Sequence, residues 1–148
     1  MIRKATPDDM HHVMRMAFEF WRVSGATHID FDPYTVEQTA NFLMTGTHTT
    51  LLLADEGGPC GMTGAMLHPA YLNAAHMSGQ ELFWWVDEDK RGGRVGVEMY
   101  DALEAWVRDM GASSFTMIAL DAQSPEIVGK FYERRGYRPL ERHYTKVF

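Results

Sequence analysis

Arg91-Gly92-Gly93-Arg94-Val95-Gly96 places two guanidinium groups and three glycines directly ahead of a long amphipathic stretch. That pattern suits the holding of a phosphate. Amides in the first turn of a helix have no intrahelical acceptor, the helix dipole adds partial positive charge there, and glycine lets an anion come close. Arg91 and Arg94 bring forked donors that match phosphate oxygens. Upstream stand the apolar run Leu82-Phe83-Trp84-Trp85-Val86 and the acidic turn Asp87-Glu88-Asp89-Lys90, so the loop joins a strand to a helix. A P-loop would end in Gly-Lys-Ser/Thr, which is absent. A dinucleotide fingerprint would use Gly93 and Gly96 as its second and third glycines but needs glycine where Arg91 stands. Asp121 imitates its ribose-binding acid, yet the turn after Val86 is too long for that tight crossing.

The elements that must position this loop follow from periodicity and capping. Ile2-Arg3-Lys4 is a short strand candidate. Thr6, Pro7, Asp8 and Asp9 open a helix with Met10, Val13, Met14, Ala17 and Trp21 on one face, ending near Ser24-Gly25. A second helix is expected from about Val36 to Met44, closed by Gly46. Thr49 to Ala54 reads as a strand, Glu56-Gly57-Gly58-Pro59 as a tight turn, and Cys60 to Leu67 as the returning strand. His68 to Gly79 carries no clear signal. Glu81 to Val86 is a buried strand beginning at Glu81. The helix after Gly93 shows a stripe of Val95, Met99, Leu103 and Val107 and is closed by Gly111. Phe115 to Leu120 is another strand, Ser124-Pro125-Glu126 starts a last helix that stops at Gly136, and Tyr137 to Phe148 reads as one or two final strands. Hairpins followed by β-α-β crossovers imply an α/β protein with a mixed sheet and helices on both faces.

The 148 residues are most simply one domain, 1–148, with an ordinary 45% hydrophobic and 23% charged content. A net charge of −6 argues against general nucleic-acid binding, which needs a basic face. One cysteine, Cys60, excludes an internal disulfide or a multi-cysteine zinc site and fits a cytoplasmic setting. The start, Met1-Ile2-Arg3-Lys4, lacks the apolar run of a signal peptide, and no window is long and apolar enough to span a membrane. Seven histidines raise the question of a metal. His11 and His12 are neighbours on a helix and are expected to point in different directions, and no His-x-x-x-His pattern occurs, so no metal site is expected.

The glycine-arginine loop resembles the acyl-CoA pyrophosphate loop of the GNAT superfamily of N-acyltransferases, Gln/Arg-x-x-Gly-x-Gly/Ala between a strand and a helix. Its first and last positions match in Arg91 and Gly96; Arg94 stands where glycine is usual. Phe131-Tyr132-Glu133-Arg134-Arg135-Gly136-Tyr137 resembles the Leu-Tyr-Glu-Lys-x-Gly-Phe signature that ends the family's last helix, and Ile2 to Asp9 resembles a common family opening. The element order agrees over nearly the whole chain. The resemblance implies a fold of six to seven strands and four helices, splayed at a central cleft between Glu81–Val86 and Phe115–Leu120.

The resemblance also implies chemistry. Acetyl-CoA would be the acyl donor, its pantetheine arm pairing with backbone around Trp85 and Val86 and its pyrophosphate resting on the amides of Gly92, Gly93, Arg94, Val95 and Gly96 with help from Arg91. Arg94 either grips phosphate or points to solvent. Ser124 lies where many relatives carry an asparagine that touches the pantetheine arm. A primary amine, on a small molecule or a peptide, would attack the thioester directly, without metal. Such an amine has a pKa of about 10.4 and must first lose a proton. Glu81 matches a position where some members carry the base, and burial would raise its pKa; the alternative is a strand-end carboxylate facing solvent. Tyr132 matches the family's acid for the departing thiolate, or else packs in the core. The competing reading is a GNAT-fold binding or structural module without catalysis. Dimerisation through the final strands is common in the family.

Of the other residues, Asp87 and Glu88 read as solvated or loop-ordering charges. Trp84 and Trp85 alternate across the sheet, so at most one is expected to face the cleft, with the other in the core. Phe20, Trp21 and Phe31 are candidates for the acceptor side, as are His28, His68 and His76.

Overall fold

The structure, a computed structural model, describes residues 1–148. In chain order it comprises β1 (Ile2–Lys4), α1 (Met10–Val23), α2 (Pro33–Thr45), β2 (Thr49–Asp55), β3 (Pro59–Ala70), β4 (Asn73–Val86), α3 (Val95–Asp109), β5 (Ser114–Thr116) and α4 (Pro125–Arg134). The strands form one sheet in the order β1-β2-β3-β4-β5. The first three pairings are antiparallel and β4–β5 is parallel.

Strand β2 shows how the sequence builds two layers. Alternate side chains of a strand point to opposite faces, so Leu51 and Leu53 join Val13, Met16, Ala40 and Leu43 beneath α1 and α2. Leu52 faces Leu103 and Val107 of α3 on the other side. Both faces are covered, which is why the strand reads as a continuous apolar run rather than an alternation. The starts of α1 and α2 are tied locally. Arg3 grips the Asp9 carboxylate with two bonds of 2.8 Å, and that carboxylate also accepts from the Thr6 amide at 2.8 Å. Asp32 caps α2 through the Thr35 amide at 3.2 Å, with Pro33 at the first helical position. No helix is long and apolar enough to cross a membrane.

The structure corrects the expected strand pattern in three places. The stretch without a clear signal, His68–Gly79, is the far half of a long hairpin: β3 runs on to Ala70 and β4 starts at Asn73. Glu81 therefore sits inside β4 and not at its start. The strand expected over Phe115–Leu120 is short, pairing with β4 only at Ser114, Phe115 and Thr116. Finally, residues 137–148 form no strand, which leaves five strands where six to seven were expected. Pro139 has no amide to donate, and Arg138, Glu141, Arg142 and Lys146 break any apolar face that a sheet could bury. Leu140, Tyr144, Val147 and Phe148 are exposed accordingly.

Candidate active site

The cleft begins where the parallel pair ends. Gln80 faces Thr116 in the last rung, and beyond it β4 continues to Val86 while the chain after Thr116 diverges. A register shift on the other side of β4 helps set this up: Ala65 pairs with Glu81 and Gly64 with Phe83, so Leu82 is an extra residue in the strand. Such a bulge bends a strand and re-aims its side chains. The resulting cleft, about 210 Å³, is walled by Phe20 and Val23 of α1, Leu82, Trp84, Trp85 and Val86 of β4, Ile118 and Leu120, and Val128 and Tyr132 of α4.

Glu81 and Tyr132 meet at the backbone of one residue, Ile118, on the cleft floor. The Glu81 carboxylate accepts from the Ile118 amide at 2.7 Å, and the Tyr132 hydroxyl donates to the Ile118 carbonyl at 2.8 Å. The side chains thus take up both groups that Ile118 would have spent on a β4 ladder. Glu81 is 2% exposed. Burial disfavours its charged form and pushes its pKa up to about 8, against the opposing pull of the Ile118 amide. Burial also raises the Tyr132 phenol, with the neighbouring Glu81 and Tyr137 adding to the effect, so Tyr132 holds its proton firmly. The strand-end, solvent-facing alternative for Glu81 does not describe this geometry.

At the mouth, a short 3-10 turn at Glu88–Lys90 leads into the glycine-arginine loop. Gly92 has φ of +78°, a left-handed conformation that costs a side-chain-bearing residue strain. The first amide of α3 to find a helical acceptor is that of Glu98, on the Arg94 carbonyl at 2.9 Å. The amides before it, from Gly92 to Val97, make no bond to a protein acceptor. Gly96 lets this turn press against Trp84, since an added Cβ would lie 3.3 Å from the indole. Arg94 needs no glycine: its backbone is right-handed helical at φ −81° and ψ −20°. Its side chain is 91% exposed and pairs with Glu98 at 3.4 Å.

Arg91 behaves differently. Its Nε donates to the Val86 carbonyl at 2.9 Å and its guanidinium lies 4.5 Å from the Trp85 ring centroid, while both terminal nitrogens make no bond within the protein. Trp85 is buried among α1 and α2 side chains and donates from Nε1 to Asp87 at 2.9 Å. Trp84 lies on the opposite face, 6.4 Å from the Tyr132 ring. Both indoles contribute to the cleft wall, where only one was expected. The buried Trp84 Nε1 has no acceptor. The Val95 side chain packs with Ala54, Cys60 and Met99, so only its amide faces the loop. Ser124 is the only non-glycine residue with positive φ, +49°, and its neighbour Gln123 is the one that lines the cleft, held by a bond to the Val23 carbonyl at 3.1 Å.

Among the acceptor-side candidates, Phe20 lines the cleft, whereas Trp21 and Phe31 cluster with Phe18 and Trp21 donates to the Ile29 carbonyl at 2.7 Å. His28 is exposed, His68 contacts the Pro69 carbonyl, and His76 bonds Ser114 at 2.9 Å; none lines the cleft. The His11 and His12 rings do not point apart as expected but pack with centroids 3.8 Å apart. Arg15, whose fork holds Asp87 at 2.9 and 2.7 Å across 72 positions, is marked by no motif, since no local pattern signals a contact of that span. Ile118 is equally silent in the sequence, because it meets Glu81 and Tyr132 through backbone atoms that any residue would supply.

Comparison with known proteins adds to this geometry. Residues 10–137 match the sequence profile described as the acetyltransferase (GNAT) family. No curated protein sequence matches the chain. Solved structures with the same fold include a ribosomal-protein-alanine N-acetyltransferase from Brucella melitensis biovar Abortus 2308, 19% identical with a TM-score of 0.72, covering 100% of this chain and 99% of the other. A predicted acetyltransferase from Clostridium acetobutylicum, solved with acetyl-CoA, is 14% identical with a TM-score of 0.76 over 99% and 95% of the two chains. AAC(6')-Iy in complex with the bisubstrate analog CoA-S-monomethyl-acetylneamine is 14% identical with a TM-score of 0.79 over 100% and 97%.

Proposed function

The chain belongs to the acetyltransferase (GNAT) family, and from that premise we propose that it transfers the acetyl group of acetyl-CoA to a primary amine in the cleft between β4 and the segment after β5. The observation that carries this reading is the pairing of Glu81 with the amide and Tyr132 with the carbonyl of Ile118, inside a cleft whose mouth offers unpaired amides and Arg91.

In this reading the pyrophosphate lies on the amides of Gly92 to Gly96 and the free terminal nitrogens of Arg91. The pantetheine arm follows the open edge of β4 past Trp85 and Val86, with Gln123 rather than Ser124 nearest it. The amine nitrogen attacks the thioester carbonyl, a carbon–nitrogen bond forms and the carbon–sulfur bond breaks. Glu81, in its ionised form, takes the proton that the amine sheds, directly or through a water. The Tyr132 hydroxyl turns from the Ile118 carbonyl to the departing sulfur and supplies a proton there. Net transfer gives the acetamide and the free thiol, with both side chains restored by exchange with solvent. The three related structures support a donor of this kind because two of them were solved with acetyl-CoA or a CoA analog. The acceptor is an amine, as the names of the ribosomal-protein-alanine acetyltransferase and of the acetylneamine analog suggest by likeness.

Acetyl transfer to a panel of small and peptide amines tests the proposal. Turnover of at least one amine is expected, and Tyr132→Phe should lower kcat about a hundredfold while leaving acetyl-CoA affinity unchanged. Unchanged turnover in Tyr132→Phe rejects the acid role. Acetyl-CoA binding with no turnover of any amine favours the non-catalytic binding module.

A further inference from the structure

Arg15 lies on α1, far in sequence from the loop, yet its two terminal nitrogens close a fork on Asp87 at 2.9 and 2.7 Å and one of them reaches the Pro59 carbonyl at 3.3 Å. Asp87 is the root of the loop. Its amide donates to the Cys60 carbonyl at 2.8 Å and its carbonyl accepts from Lys90 at 2.9 Å. The carboxylate oxygen that meets Arg15 Nη1 also accepts the Trp85 indole at 2.9 Å. Trp85 in turn is the surface over which the Arg91 guanidinium rests, 4.5 Å from the ring centroid, with Nε pinned to the Val86 carbonyl. A continuous chain of charge-assisted bonds and one stacked contact therefore runs from α1 to the side chain whose free nitrogens face the loop.

We propose that Arg15 is a positioning residue for the acyl-CoA pyrophosphate, acting through Asp87 and Trp85 to hold Arg91 in place. The inference rests on the reading of this cleft as an acyl-CoA site. Its physical content is pre-organisation. An arginine side chain that is already fixed loses little freedom on meeting phosphate, whereas a free one must be ordered at that moment. Burial alone would raise the Asp87 carboxyl, but the bonds from Arg15 and Trp85 outweigh it and hold the group below the usual carboxylate range. The anion is thus present to anchor both partners at neutral pH. Without Arg15 the carboxylate keeps only the indole and is free to turn toward water, which releases Trp85 and the platform under Arg91.

The test is a double-mutant cycle read as acetyl-CoA affinity by calorimetry, on the full chain, with Arg15→Gln, Arg91→Gln and both together. Arg15→Gln should weaken binding about tenfold. The double variant should bind no more weakly than Arg91→Gln alone, because Arg15 acts through Arg91. Arg15→Lys, which keeps the charge without the fork, should recover only part of the loss. S-acetylpantetheine lacks the pyrophosphate and should bind wild type and Arg15→Gln alike. The Arg15 side chain is 44% exposed, so the variants should fold; should Arg15→Gln not fold, the cycle is read with Arg15→Lys. Unchanged acetyl-CoA affinity, additive losses in the double variant, or equal loss for both thioesters overturns the inference and leaves the site reading standing. If wild type binds neither thioester, the site reading itself falls, and this inference falls with it.

Discussion

Glu81, the proposed base, is a buried carboxyl whose ionisation would bear on both catalysis and stability. At a pKa of about 8 it is mostly neutral at pH 7, so only the ionised fraction would be available as a base. kcat/KM should therefore rise with pH through about 8, and Glu81→Gln should abolish that rise; a rise of the same midpoint in the variant contradicts the base role. The same shift has a stability consequence. The folded carboxyl keeps its proton up to about pH 8, while the unfolded one releases it near the ordinary value of about 4.3. Between those values the unfolded state binds fewer protons, so stability is full below the window and is lost as pH rises through it. Glu81→Gln should accordingly match wild type near pH 4 and exceed it at pH 8, by on the order of a few kcal/mol. Thermal melts at the two pH values check this, and equal melting temperatures at pH 8 contradict it. The candidacy of Glu81 and Tyr132 was legible from the resemblance at Phe131–Tyr137 and along β4. Their meeting on Ile118 was not, because it depends on where two strands part, and parting is a property of the ladder.

At the scale of elements, the start of α3 and the start of α4 solve the same problem in different ways. The loop before α3 puts glycine at the left-handed position, Gly92. The loop before α4 puts Ser124 there, at φ +49° and with no side-chain capping bond. A non-glycine residue in that region costs about 1 kcal/mol or more, and asparagine tolerates it best. Ser124→Asn should raise the melting temperature by about 3 °C, a value that calorimetry resolves; no change or a decrease contradicts the strain reading. Helices α1, α3 and α4 were legible because their apolar stripes and caps are local. The Asp32-Pro33 start of α2 was equally local in kind, but the inward stripe begins only at Val36 and drew the boundary inward. The far half of the β3–β4 hairpin was hidden for a different reason. Asn73 to His76 is largely exposed, and only Asn73 of it pairs with β3, so the stretch leaves no apolar alternation in the sequence. The converse holds for 117–120, which reads as a strand yet turns its backbone to the cleft.

For the whole molecule, the sheet is a partition with α1 and α2 on one side and α3 on the other, and the cleft opens where its last parallel pair separates. Layer order and mixed topology were legible from the sequence of elements. The absence of final strands was not, since Tyr137–Phe148 has strand-forming residues but no continuous face for the sheet to bury. Neither was the tie between α1 and the loop. The fold brings Arg15 to Asp87, and only a packed structure reveals that the two layers share an anchor. The chain carries a net charge of −6, so the proposed anionic donor would be held by local geometry rather than by overall charge. The cleft is proposed to bind an acyl-CoA. Thermal melting with increasing acetyl-CoA tests it without any knowledge of the acceptor: saturation at a hundred times the dissociation constant should stabilise the fold by about 2.7 kcal/mol. A melting temperature that climbs with both acetyl-CoA and CoA is the result expected; one that moves with neither contradicts acyl-CoA binding.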